Sequence, residues 1–99
     1  MHFELVWTPQ ALKDYQGIEA SSKAGLQKQV NKTLGFLQTD LKHPSLNTHE
    51  YHSLFNPYNP GEKVFEAYAQ NNTPGAYRVF WCYGPRKAQI TILSITPHP

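Results

Sequence analysis

The chain has 99 residues, of which 39% are hydrophobic and 13% aromatic; this is enough for one domain with a modest core and excludes a disordered chain. Its formal net charge of +2 permits an anionic partner without requiring one. The single cysteine, Cys82, excludes an internal disulfide, so no oxidising compartment is needed. No apolar run approaches the roughly 20 residues that span a bilayer, and the first residues do not resemble a signal peptide. We therefore expect a cytoplasmic protein with no membrane partner.

The first part of the chain predicts one strand followed by two helices. Alternation over His2–Trp7 predicts a short, half-buried strand. Thr8 is a suitable N-cap and Pro9 a suitable first residue for a helix, which we expect to end near Gly17. Apolar residues then recur every three or four positions over Leu26–Leu37, which predicts an amphipathic second helix.

The second part of the chain predicts a long loop and three strands. Lys42–Gly61 contains three prolines and no sustained period, which is typical of a loop, with one short strand or turn near Tyr51–Phe55. Turn-forming segments join the three strands that follow, Lys63–Ala69, Ala76–Tyr83 and Ala88–Thr96. We predict a single α+β domain over residues 1–99, in which an N-terminal strand and a two-helix hairpin precede an antiparallel three-stranded meander.

Arg78 lies in the middle of the second of these three strands. Alternation places it on the face opposite Tyr77, Val79 and Trp81. The spacing alone favours an arginine that is exposed on the solvent side of a half-covered sheet. The alternative is a guanidinium fixed on a rigid strand and directed at a phosphate, for which its planar shape is well suited.

The histidines are the other candidates for chemistry. His98 lies between two prolines that favour extended backbone, so both a frayed terminus and a presented proton-transfer group fit the sequence. His43, His49, Glu50 and His52 occur in the long loop without HExxH spacing or a cysteine partner, so we predict no metal site and no cofactor. A general base, a phosphate contact and plain solvated side chains stay open for these residues.

These segments resemble the RelE/ParE superfamily of bacterial toxins. The resemblance depends on WTPQALKDY after the first strand, the amphipathic second helix, GAYRVFW, and a last strand that ends in PHP. It covers most of the chain in order and spacing, and it implies a toxin that binds a cognate antitoxin protein. The RelE-like branch cleaves mRNA without a metal, commonly on the ribosome. The ParE-like branch inhibits DNA gyrase and lacks the catalytic residues.

The RNA-cleaving branch implies roles for particular residues of this chain. Arg78 matches the arginine that binds the scissile phosphate, and His98 matches the C-terminal general acid. The resemblance does not place the general base; the candidates are Glu50, which we assign first, and His49, Lys63 and Glu66. The last three, together with Arg86, are also predicted to contact substrate. The chain departs from the family in having few cations near the sheet, namely Lys63, Arg86 and Lys87.

We therefore predict a metal-independent endoribonuclease toxin that acts on mRNA, either free or on the ribosome. A base would take the proton of a ribose 2′-OH, Arg78 would stabilise the charge that develops on the phosphate, and His98 would protonate the departing 5′ oxygen. Two other functions stay open, a gyrase inhibitor without catalysis and an inactive module that binds an antitoxin. The gyrase inhibitor predicts that Arg78 and His98 are dispensable.

The proposed chemistry makes two demands on the fold. Arg78 and His98 share a sheet face only if the last two strands are joined by an odd number of residues or contain a bulge. We predict one of these, with Arg78 across from or diagonal to Ser94. We also expect this face to be mildly basic, flanked by exposed apolar residues and open to a partner segment that folds on binding.

Overall fold

The structure is a computed structural model and describes residues 2–71 and 73–98. The chain forms strand β1, helices α1 and α2, a 3₁₀ turn, and strands β2 to β5. Their bounds are Glu4–Trp7, Pro9–Ala20, Ala24–Thr39, Pro44–Leu46, His49–Glu50, Phe65–Tyr68, Tyr77–Tyr83 and Gln89–Pro97. The α+β class and the order of the main elements are as the sequence predicted. The short strand of the loop lies just before the range Tyr51–Phe55 in which it was expected.

The first helix begins where the sequence predicted and ends later. The side-chain oxygen of Thr8 accepts a hydrogen bond from the backbone N–H of Ala11, which caps α1. The expectation that Gly17 ends the helix is wrong, because α1 continues to Ala20. A glycine in a helix costs only about 1 kcal/mol, and burial of Ile18 in the next position offsets that cost. Neither helix, within the part of the chain that the structure describes, is long and apolar enough to cross a membrane.

The sheet has five strands in the order β1-β5-β4-β3-β2. The predicted antiparallel meander is formed by β3, β4 and β5, whereas β1 pairs with β5 in parallel. The two helices form the connection that brings β1 and the later strands into one sheet, and they pack on one of its faces. Both layers contribute buried apolar side chains to this core, among them Ile18, Leu26, Val30, Leu34, Leu37, Val79, Trp81, Ile90, Ile92 and Ile95.

A bulge between β4 and β5 determines which residues share a face. Trp81 pairs with Ile92, but the next pair is Phe80 with Ser94, so β5 contains one extra residue at this point. Beyond the bulge, even-numbered residues of β4 face the same way as even-numbered residues of β5. Arg78 therefore lies diagonal to Ser94, as predicted.

The face of the sheet away from the helices, called here the helix-free face, is half covered. It carries Glu66, Tyr68, Arg78, Phe80 and Cys82. Residues 51–62 fold over the part of this face that lies toward the turn between β4 and β5, called here the closed end. The Tyr51 ring lies 4.6 Å from the Phe80 ring, and the Tyr58 hydroxyl lies 2.8 Å from Oγ1 of Thr91. The expectation that the whole face is open to a partner is therefore wrong for this half.

The loop that covers the closed end also exposes apolar side chains. Phe55 is 82% exposed, and Leu54 and Tyr58 are exposed as well. Exposed apolar residues beside the sheet face were expected from the sequence, and they lie on the covering loop itself.

Candidate active site

The uncovered part of the helix-free face, called here the polar end, brings together two histidines, a glutamate and an arginine: His49, Glu66, Arg78 and His98. The strand register explains why they meet. Glu66 pairs with His49 of β2 on one side and with Phe80 of β4 on the other, and Tyr68 pairs with Arg78. Directly paired residues point to the same side of a sheet, as do residues two apart along one strand. The polar end thus follows from the pairing of β2, β3 and β4.

Glu66 is the centre of the polar end. Its side chain is only 1% exposed, and its two oxygens face two different histidines. Oε1 lies 2.6 Å from Nε2 of His49, and Oε2 lies 3.8 Å from Nε2 of His98. Oε2 is buried and has no hydrogen bond to any described residue. A buried carboxylate is stable only with compensating partners, and the two imidazoles supply them.

Arg78 is buried, and the interpretation as a solvent-exposed arginine is wrong. The side chain is 7% exposed. Its guanidinium carbon lies 3.6 Å from the centre of the Tyr68 ring, and Nη1 donates a hydrogen bond of 2.6 Å to the backbone carbonyl of Gln70. Within the described residues it has no acidic partner within 4.0 Å, and Nε is buried without a hydrogen bond. The guanidinium is therefore held in place with donors left for an anion.

His98 is anchored by its backbone rather than frayed. Its N–H donates a 2.8 Å hydrogen bond to the carbonyl of Ala76, which ties the residue after β5 to the start of β4. Its side chain is 48% exposed. The backbone of His98 is thus fixed, and its imidazole lies on the same face as Arg78 with access to solvent.

Glu50 and Lys63 lie away from these four residues. Glu50 pairs with Phe65, so it points to the side of the sheet opposite Glu66. Its carboxylate lies 4.0 Å from Nζ of Lys63 and 3.7 Å from Nε2 of His52. The structure does not bring Glu50, our first assignment for the base, to Arg78. Strand alternation explains the correction, since a shift of one residue changes the face.

Arg86 also lies outside the polar end. It belongs to the turn between β4 and β5, which is next to the closed end and at the opposite end of β4 from Arg78. A contact between Arg86 and the same phosphate as Arg78 is therefore not supported by the geometry.

The three loop histidines have different surroundings. The ring of His43 stacks on Phe36 at 3.8 Å and accepts a hydrogen bond from the N–H of Ser45. His52 is exposed beside Glu50, whereas His49 contacts Glu66. Over residues 2–71 and 73–98, no group of three or more histidine, cysteine or acidic side chains is arranged to hold a metal ion.

Cys82 is buried on the helix-free face under the covering loop. Burial raises the pKa of its thiol from 9.0 to about 11. Because a thiolate is the nucleophilic form, this cysteine is a packing residue and not a nucleophile.

Sequence reasoning missed Tyr68 and Gln70, which hold Arg78. Tyr68 supplies the ring on which the guanidinium stacks. The side-chain oxygen of Gln70 accepts a hydrogen bond from the backbone N–H of Tyr77, the residue before Arg78. One signal was available, since Tyr68 lies two residues after Glu66 and so shares its face. The Gln70 carbonyl gave no signal, because any residue carries one.

Comparison with known proteins identifies the class of fold. No family model matches the chain, and no curated protein matches its sequence. Solved structures are similar. A YoeB dimer from Staphylococcus aureus has a TM-score of 0.66 at 15% identity, over 100% of both chains. A YoeB/ParE toxin from Agrobacterium tumefaciens has a TM-score of 0.68 at 11% identity, over 98% of this chain and 100% of that one.

An archaeal example extends the likeness to a complex. A chain of the RelE–RelB complex from Pyrococcus horikoshii has a TM-score of 0.66 at 14% identity, over 98% of this chain and 96% of that one. These identities are low, so the likeness is one of fold. The fold that the resemblance implied is confirmed: the chain has a RelE-like α+β fold.

Proposed function

We propose that this protein is the toxin of a toxin–antitoxin pair and that it cleaves RNA without a metal. The fold shared with YoeB and RelE toxins supports the first part. One observation carries the second part: the buried carboxylate of Glu66 lies between His49 and His98 on the face that holds Arg78. An acid, a base and a fixed cation on one surface are what cleavage by internal transphosphorylation requires.

Each group has one task in this reaction. Glu66 takes the proton from a ribose 2′-OH, and the 2′ oxygen forms a bond to the adjacent phosphorus. The bond from phosphorus to the 5′ oxygen breaks, and His98 gives a proton to that oxygen. Arg78 stabilises the negative charge on the phosphate during the exchange. The products are a 2′,3′-cyclic phosphate and a 5′-hydroxyl, and DNA is not a substrate because it lacks the 2′-OH.

The distance between acid and base requires a movement before reaction. Glu66 and His98 lie 3.8 Å apart, whereas each must reach its own oxygen of one phosphate at about 2.6–3.2 Å. A phosphate that contacts both side chains does not fit between Glu66 and His98 at their observed separation. The half-exposed imidazole of His98 swings outward when the phosphate enters, while its backbone stays bound to Ala76. Outward movement also uncovers Oε2 of Glu66.

The test is cleavage of a labelled DNA oligonucleotide that contains a single ribonucleotide, and of mRNA with and without ribosomes. The wild-type protein is expected to cut only after the ribose and to leave a cyclic phosphate. His98→Gln is expected to be slower by about 100-fold or more, the usual contribution of a general acid. The proposal fails if the wild-type protein cuts neither substrate, or if His98→Gln cuts as fast as the wild type.

The same proteins distinguish the other functions. A gyrase inhibitor would block supercoiling by purified gyrase, with Arg78 and His98 dispensable. An inactive module would bind its antitoxin and affect neither RNA nor gyrase. We propose the nuclease because neither alternative gives a reason for a buried Arg78 Nε that has no hydrogen bond among the described residues, on the same sheet face as the buried Glu66.

A further inference from the structure

We propose that His49 is a positioning residue that holds Glu66 as a doubly protonated imidazolium, and that it is not the general base. The inference rests on the proposed nuclease function and assigns one more residue of the same site.

The hydrogen-bond partners of His49 determine where its hydrogens lie. Nδ1 is 2.9 Å from the backbone carbonyl oxygen of Asn47, which only accepts, so Nδ1 carries a hydrogen. Nε2 is 2.6 Å from Oε1 of Glu66, and a carboxylate that acts as the proposed base must be ionised, so it also only accepts. Both nitrogens therefore donate. No lone pair is left on the ring to take a proton from a 2′-OH.

The backbone around His49 is shaped for this arrangement. Asn47 ends the 3₁₀ turn with a φ of 44°, in the left-handed region that asparagine tolerates better than most residues. This turn directs its carbonyl toward the ring two residues later. The pairing of β2 with β3 then places His49 opposite Glu66. The Tyr68 ring packs against the imidazole, with the ring centres 5.9 Å apart and the planes at 76°.

The contact assigns different tasks to the two oxygens of Glu66. Oε1 is bound to His49, so the carboxylate is fixed in one orientation. Oε2 is the oxygen without a hydrogen bond among the described residues, and it faces His98. Oε2 is therefore the atom that receives the proton. The titratable groups around His49 are Glu66 and Tyr68 from β3, with His98 beyond the carboxylate.

Two substitutions separate a positioning role from a base. His49→Ala is expected to slow cleavage about 10- to 100-fold, since it removes a hydrogen bond to a charged group. His49→Lys is expected to recover most of the rate, because an ammonium donates to Oε1 but has no lone pair with which to act as a base. His49 is 46% exposed, which leaves room for the longer side chain. His52→Ala is the matched control, since His52 is 82% exposed beside Glu50.

The outcomes distinguish this inference from the proposed function. If the wild type cleaves RNA but His49→Lys is no faster than His49→Ala, His49 is the base and the inference is overturned. Full activity of His49→Ala overturns it as well. A wild type that cuts no RNA overturns the proposed function instead.

A measurement without substrate keeps the inference testable in that case. Nuclear magnetic resonance of the ring nitrogens in the wild-type protein near neutral pH is expected to show hydrogen on both nitrogens of His49. Hydrogen on only one ring nitrogen would mean that the proton between His49 and Glu66 is bound to Glu66, and this would overturn the inference.

Discussion

The two ends of the helix-free face differ in how well their buried polar groups are satisfied. At the closed end, Oγ1 of Thr91 contacts the Tyr58 hydroxyl and donates to the carbonyl of Gly84. At the polar end, Glu66 is 1% and Arg78 7% exposed, yet Oε2 of one and Nε of the other have no hydrogen bond among the described residues. Buried polar groups are nearly always paired in folded proteins. In the proposed function, this difference separates a closed end that maintains the fold from a polar end that binds the substrate.

The largest expected effect tests the closed end. Phe80→Ala should lower the free energy of unfolding by about 3–5 kcal/mol, because it removes a buried ring that the covering loop cannot replace. Chemical denaturation measures the loss. Phe55→Ala is the control, since a ring that is 82% exposed should change stability by no more than about 0.5 kcal/mol. Equal effects of the two substitutions would show that the loop does not cover Phe80 in solution.

The next effect tests the polar end. Arg78→Lys should slow RNA cleavage by about 100- to 1,000-fold, since it keeps the charge but loses the planar group that is held by Tyr68 and Gln70. Lysine is preferable to alanine here. Because Arg78 is buried, alanine would leave the Gln70 carbonyl without its donor and would disturb the fold. Cleavage by Arg78→Lys at the wild-type rate would exclude a fixed guanidinium from the reaction.

A smaller effect concerns the thiol at the closed end. Burial raises the pKa of Cys82 from 9.0 to about 11, so the folded protein keeps a proton that the unfolded chain loses. Stability from this residue is therefore complete below pH 9 and falls as the pH rises from 9 toward 11. The loss between pH 8 and pH 10 should be about 1 kcal/mol. Unfolding of the wild type and of Cys82→Ala over this range isolates the effect, and parallel curves would contradict it.

Much of the fold was predictable because it depends on local patterns. Thr8 and Pro9 begin α1, the spacing of Leu26 and Leu34 defines α2, and alternation assigns the faces of β4. The predicted helix end at Gly17 was wrong because burial of the next residue outweighs the low helix propensity of glycine.

The site was less predictable because it depends on pairing between distant strands. Alternation within one strand identified the face of Arg78 but not its burial, which comes from Tyr68 and Gln70 of a neighbouring segment. The choice of Glu66 over Glu50 required the register of β2 and β3, which short loop sequences do not specify.

The smallest expected effect, no change at all, concerns chelation. In the proposed reaction Glu66 and His98 move the protons and Arg78 supplies the positive charge, so each task that a metal ion performs in other nucleases has a side chain here. EDTA should leave both the unfolding midpoint and cleavage of the single-ribonucleotide oligonucleotide unchanged. The free oligonucleotide is the proper substrate, because ribosomes themselves need Mg²⁺. Cleavage that is lost in EDTA and restored by zinc would contradict this expectation. His49 and His98 would then be metal ligands rather than hydrogen-bond and proton donors, and the polar end would be a metal site.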